Sequence, residues 1–442
     1  MGDGTFSRRD VLRVAGGVGA AAIVAGSKRS AFAAPAVVRQ TGDPDLSDPA
    51  KVGEALTKEG ATLNIHTWGF SGLRETVFVD KFAEHTKNLY GVPVKLTYDQ
   101  GDINQYIQEL PLAGRHIREL GLDVIDKEEE TFAQILALDW GEPVDQEQYQ
   151  PLLTNLADVE DAYKFQGETD SNGPGLYGVV YQGYEWLQAL LRKDKVDASA
   201  YKDWTDLARP EMAKKGIVYS LDNDSRGHFV FLGLLNSLVK QGLVPGNLPD
   251  DLWKIETWEA GLQWWKDNIE GQIYKYGDIG NDPTMRLALQ SGDAWWGGTW
   301  GTYTRELLAI DWNKRDDLLA PFYPVSGIVA DRETLTPVAG AAHPVAARIL
   351  INWFIDTEFQ HVGWYKDTPT SEAVNRWNVP EDKYLLVYCG GVAQKHRDLA
   401  PDWAKPYYLQ NPSDYLLTVN WGWYTPNAEA ISRAYTRIVK GG

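Results

Sequence analysis

The 442-residue chain holds a single cysteine, Cys389, so no internal disulfide can staple it. It is short of positive charge, with 43 Lys and Arg against 61 Asp and Glu and a net charge of −18. No basic stretch interleaved with aromatics offsets that balance. Such a surface repels phosphate backbones and anionic lipid, which excludes a nucleic-acid partner. Catalytic signatures are missing too: there is no G-x-S-x-G elbow, no H-E-x-x-H and no phosphate-binding loop. The seven histidines are scattered, with no two at helical ligand spacing, and neither a metal nor a cofactor is expected. The longest apolar run, Val14 to Ala25, is Gly-rich and short of the roughly 20 residues a membrane-spanning helix needs. No internal repeat is visible.

That apolar run belongs to a recognisable arrangement. Ser7-Arg8-Arg9-Asp10-Val11-Leu12 precedes it, and Lys28-Arg29 and Ala31-Phe32-Ala33 follow it. A charged start, a short apolar middle and an A-x-A end make a cleavable export signal. The arginine pair indicates the twin-arginine route, which carries folded proteins. Residues 1–33 are therefore expected to be removed, giving a periplasmic or extracellular protein. No cysteine lies near the cleavage point to take a lipid. Residues 34–60, with Pro35, Pro44 and Pro49, read as a flexible lead-in.

From residue 61 onward, strand and helix patterns alternate. Ala61–Thr67, Val92–Tyr98, Leu122–Ile125 and Tyr177–Tyr181 read as strands, with helices over Gly72–Leu89, Ile103–Leu110 and from about Glu129. A second α/β series follows. It has strands at Ile217–Leu221 and Ala294–Trp296, helices at Gly227–Gln241, Glu256–Ile269 and Pro344–Asp356, and a last helix at Pro426–Val439 capped by Thr425. Repeated βα units imply a largely parallel sheet with helices on both faces. Two such lobes make an α/β protein whose ligand settles outside the carboxyl ends of its strands.

Several stretches resemble the extracellular solute-binding proteins of ABC importers, in particular the spermidine/putrescine-binding branch. They are Ile65-His66-Thr67-Trp68-Gly69-Phe70, Gly175-Leu176-Tyr177-Gly178-Val179-Val180-Tyr181, Arg192-Lys193-Asp194-Lys195-Val196 with Trp204-Thr205-Asp206-Leu207, Gly292–Gly298, and the run from Leu335 through Pro344 to Thr368-Pro369-Thr370. Each is weak alone, but they occur in order along nearly the whole mature chain. The resemblance implies a type II two-lobed fold closing on a small solute and an ABC permease as partner; a monomer is the default, since no oligomer-forming segment is evident. The resemblance also implies hinge crossings near 181–184 and 297–301, with lobe 1 formed by 61–181 plus 300–360 and lobe 2 by 184–298 plus 365–440.

On this reading Trp68 and Phe70 line the cleft after the first strand. Trp295 and Trp296 are adjacent in a strand and point to opposite faces; the resemblance favours Trp296 toward ligand and Trp295 in the core, with Trp300 beyond them. Trp258 and Trp265, seven apart, suit a buried helix face. Tyr184 and Glu185 follow the first crossing. Glu128, Glu129 and Glu130 open a helix, where the helix dipole alone would favour acids; Glu129 and Glu130 are the candidates for the site. Asp224 and Arg226 match the family's acid and arginine, whereas Gly227 stands where that family has a second acid. Glu333 precedes the strand at Leu335.

A buried ammonium costs several kcal/mol unless paired, and cation–π contact returns only about 0.5–2 kcal/mol. Carboxylates must therefore be numerous if the ligand is a cationic amine, the first reading. A carbohydrate or polyol on the tryptophans is the alternative, and a secreted glycosidase with two acids across a cleft a more distant one. Tyr407-Tyr408 resembles the tyrosine pair of ferric-binding relatives, but its surroundings read as loop packing.

Overall fold

The computed structural model describes residues 45–67, 72–99, 101–217, 221, 225–270, 282–300, 319–357, 392–398 and 411–441. The export signal lies outside them. Ordered structure begins earlier than expected, inside the segment read as a flexible lead-in. The Asp48 carboxylate accepts the Ala50 N–H at 2.9 Å and Pro49 fills the first helical position, starting helix α1, Pro49–Lys58. Val52, Ala55 and Leu56 bury one face of it. Gly53 allows the close approach: a Cβ there would lie 2.4 Å from the Tyr90 carbonyl oxygen. The proline taken for a loop signal is a helix opener.

In chain order there follow β1 (Thr62–His66), α2 (Gly72–Tyr90), β2 (Lys95–Asp99), α3 (Ile103–Leu112), β3 (Val124–Glu128), α4 (Glu129–Ala137), β4 (Lys164–Thr169) and the 20-residue β5 (Gly173–Arg192). Then come β6 (Gly216–Ile217), α5 (Ser225–Lys240), α6 (Ile255–Asn268), α7 (Asp282–Ser291), β7 (Trp296–Trp300), β8 (Leu319–Phe322), β9 (Ile328–Pro337), α8 (Pro344–Phe354), β10 (Leu416–Leu417) and α9 (Trp421–Tyr435). The last helix starts five residues before the expected Pro426. Asn420 caps it by accepting the Trp423 N–H at 3.1 Å, and burial of Trp421 and Tyr424 draws the turn ahead of the proline into the helix.

The described residues fall into two units, the first holding those up to Gly183, 332–357 and 392–398, the second those between 184 and 331 and 411–441. Two strands, β5 and β9, run from one unit into the other. The chain re-enters the first unit at Arg332, not at 300 as expected, because β8 pairs with Ala189–Arg192 of β5 and stays in the second.

In the first unit the strand order is β2-β1-β3-β9-β5, with β1 parallel to β2 and β3, and β9 antiparallel to β3. Ile125 and Val338 face a core made with Ile103, Leu110, Ile135 and Trp140 from the α3–α4 side. The other face lies under α8, where the Tyr181 ring meets Phe354 edge-on at 4.8 Å. Gly178 permits close layering, since a Cβ there would stand 2.3 Å from Thr334 Cγ2. In the second unit β7 pairs antiparallel with β5 and parallel with β6, and β10 pairs parallel with β9. Trp258 and Trp265 are buried there, as their spacing predicts. No helix among the described residues is long and apolar enough to cross a membrane.

Candidate functional site

The carboxyl ends of β1 and β3 gather a set of acids, and strand alternation sorts them by face. Asp126 and Glu128 point to the α8 side of β3, and Lys127 points the other way. In the antiparallel register Glu128 stands directly opposite Glu333 of β9, and Lys127 opposite Thr334. Directly opposed residues share a face with Cβ atoms about 4.5–5.5 Å apart, and two like charges there repel. Glu333 is 1% exposed, while Glu128 is half-buried with Lys127 Nζ 4.0 Å away.

Asp126 lies two residues deeper on the same face and is fully buried. Its Oδ2 accepts from Thr67 Oγ1 at 3.0 Å and from the Tyr181 hydroxyl at 2.9 Å, whereas Oδ1 has no hydrogen-bond partner among the described residues. Burial pushes its carboxyl up to about 7, against the opposing pull of the Tyr181 and Thr67 donors and of Lys127. Near neutral pH this acid is therefore divided between its charged and neutral forms. Glu130, on the first turn of α4, is also raised, by burial first and by the charge of Glu128 second.

The opposite face carries a different balance. Glu129 is fully buried and bonded to Arg332 through two contacts, Nε to Oε2 at 2.9 Å and Nη2 to Oε1 at 2.7 Å. Arg332 Nη1 also donates to the Ala162 carbonyl at 2.6 Å, and its guanidinium lies 4.3 Å from the centre of the Phe165 ring. The glutamate expected in the site is thus consumed by an internal ion pair, and the arginine that would have cancelled acid charge points away from Glu333. His66 is buried beside this face, its Nε2 donating to the Gly101 carbonyl at 2.9 Å; burial holds its pKa below the usual value.

In the second unit the two adjacent tryptophans exchange their expected environments. Trp296 is 1% exposed and its indole fills the space above Gly216, where a Cβ would come within 2.3 Å of it. Trp295 is half-buried with Lys215 Nζ 4.9 Å from its ring centre. Because β6 lies beside β7 and carries only Gly216 at the register position of Trp296, the Trp296 indole has room to pack inward there. Trp300 closes β7 opposite Trp186 of β5. Tyr184 and Glu185 lie in β5 and Arg226 in the first turn of α5, with side chains outside the described residues, as is that of Trp300. Trp68, Phe70, Asp224, Cys389 and Tyr407-Tyr408 lie outside them altogether. Among the described residues no group of three or more His, Cys, Asp or Glu is placed to hold a metal ion.

A family model for bacterial extracellular solute-binding proteins matches residues 78–375. This chain belongs to that family. No curated protein matches the sequence. Solved structures share the fold at low identity. An extracellular solute-binding protein assigned in Bordetella parapertussis is 18% identical, with a TM-score of 0.59 over 86% of this chain and 99% of its own. The spermidine/putrescine ABC transporter substrate-binding protein PotD of Streptococcus pneumoniae is 15% identical, at 0.54 over 85% and 99%. IdiA (FutA) of Trichodesmium, solved with iron and citrate, is 15% identical, at 0.51 over 85% and 99%. The fold of this solute-binding protein is accordingly the two-lobed type II one.

Asp126 escaped the sequence reading, although an acid inside the apolar run Val124-Ile125-Asp126 was a usable signal. Glu128 was passed over for its neighbours because the ends of strand and helix had to be placed to within one residue.

Two outcomes are expected of this solute-binding protein. Glu129→Ala and Arg332→Ala should each destabilise it by about 3–5 kcal/mol by stranding a buried charge, whereas the Glu129→Leu/Arg332→Met pair should cost less than either. Urea unfolding measures this, and a double variant as costly as the sum would contradict the pairing. The second outcome concerns pH. The folded Asp126 holds its proton up to about 7, above its value in the unfolded chain, so it favours folding fully only at low pH and loses that contribution as pH climbs to 7. The slope is at most about 1.4 kcal/mol per pH unit. Between pH 5 and 8 the wild-type urea midpoint should therefore fall relative to that of Asp126→Asn, and parallel curves would contradict it.

Proposed function

We propose that this solute-binding protein captures a cationic amine of the polyamine class outside the cytoplasm and hands it to an ABC permease. The observation that carries this reading is the gathering of three carboxylates, among the described residues, on one face of the first unit. Glu128, Glu333 and Asp126 share that face, Lys127 is the one cation of β3 and points to the other, and Arg332 is spent on Glu129. Packing two glutamates side by side costs free energy in the empty protein, and a bound ammonium would relieve it. The relatives' fold adds support, since one of them is named for spermidine and putrescine. Gly227, where that branch has a second acid, counts against that branch's own acid set in this chain.

The ligand residues on this reading are Glu128, Glu130 and Glu333 with Trp68 and Phe70; Tyr184, Glu185, Asp224, Arg226 and Trp300 complete the set from the second unit. Export follows the twin-arginine signal, removal of residues 1–33 leaves the working protein, and a monomer suffices for the task.

The test is a thermal-shift and calorimetric panel of putrescine, spermidine, ferric citrate and neutral sugars, together with mass spectrometry of any small molecule that copurifies. Putrescine or spermidine should raise the melting temperature by mass action, and Trp68→Ala should abolish the rise. A shift with sugars alone would replace the amine reading with the carbohydrate one.

A further inference from the structure

Glu128 and Glu333 account for holding a cation on the reading above, but they leave Asp126 unexplained. It sits in the middle of a sheet with both oxygens out of water, one of them satisfied twice and the other, Oδ1, without a hydrogen-bond partner among the described residues. An apolar residue would serve the core better there, since a buried acid is costly in either form unless its hydrogen bonds are complete. Its position is specific. Glu128 stands two residues along the same strand face, a rise of about 6.8 Å. Glu333 stands diagonal to it across the β3–β9 pair, about 7–8 Å away.

We propose that Asp126 makes capture proton-linked: when a cation settles between Glu128 and Glu333, Asp126 gives up its proton to solvent, and the protein binds the cation as a carboxylate where the empty form held a carboxylic acid. This rests on the amine reading above. The groups around Asp126 fit it. Lys127 and Glu128 flank it on its own strand; β1 continues into the Thr67 hydroxyl, β5 supplies the Tyr181 hydroxyl and β9 supplies Glu333. From α8 the apolar Phe354 ring packs edge-on against the Tyr181 ring at 4.8 Å. In the empty protein the charge of Glu128 opposes ionisation of Asp126; an ammonium held beside Glu128 would act in the opposite direction. With the carboxyl near 7, about half a proton is available for release at neutral pH. No bond but O–H is broken, and the proton passes to buffer.

The experiment is isothermal titration of the whole exported chain with putrescine at pH 7 in two buffers of different ionisation enthalpy, repeated from pH 6 to 9. Wild type should release about half a proton per putrescine at pH 7, and its affinity should rise several-fold between pH 6 and 8 before levelling off. Asp126→Asn should release none and bind with an affinity flat in pH. Tyr181→Phe, which removes one donor from Oδ2 without touching the carboxyl, should move the rise to higher pH. Putrescine binding by wild type with no proton release would overturn the linkage while leaving the amine reading intact. Failure of both putrescine and spermidine to bind at any pH in the range would overturn both.

Discussion

One pairing governs the acid-bearing end of the first unit: the antiparallel register of β3 and β9, which sets Glu128 opposite Glu333. The rest of the sheet around β1 and β3 is parallel, with residues reaching their carboxyl ends together. A returning antiparallel strand brings an acid from the far half of the sequence, 205 positions on by residue number, against that end. Alternation then does the sorting, with acids toward α8 and Lys127 and Arg332 toward α3 and α4. Because side-chain period in a strand is two, a slip of one residue would exchange the two sets.

The same register separates two uses of carboxylate that look alike in sequence. Glu128, Glu129 and Glu130 are consecutive, yet each meets different physics. Glu128 ends a strand beside another acid, Glu129 is buried against a guanidinium, and Glu130 lies on the first turn of a helix where burial raises its pKa. The Glu129–Arg332 pair joins α4 to β9 from the side opposite the acid pair, so it can fix the geometry of that pair without neutralising it. Asp126 extends the acid face inward, where burial outweighs the pull of Lys127 and of the Tyr181 and Thr67 donors and raises its pKa.

Much of the fold was legible because its elements obey local rules. The βα alternation of the first unit follows from apolar runs bounded by caps, and Trp258 and Trp265 are buried as their seven-residue spacing predicts. The failures came where local signals have two meanings. Pro49 starts α1 instead of marking a loop, and Pro426 sits inside α9 because buried aromatics upstream extend the helix. Trp295 and Trp296 were separated correctly by alternation, but which face is inward depends on Gly216, a residue of another strand that sequence order does not bring near. The fate of Glu129 likewise depended on Arg332, a long-range partner. Family resemblance placed the return strand and its carboxylate, and could not say which neighbour of Glu333 would meet it.

The most direct measurement is the putrescine affinity of the Glu128→Gln/Glu333→Gln double variant beside wild type. Loss of both charges should weaken binding by at least about 100-fold, the scale for removing desolvated charge partners. The melting temperature of the empty protein should hold steady or rise, because two opposed like charges are gone. Wild-type affinity in that variant would contradict the account, for no cation held between those two glutamates could be indifferent to their removal.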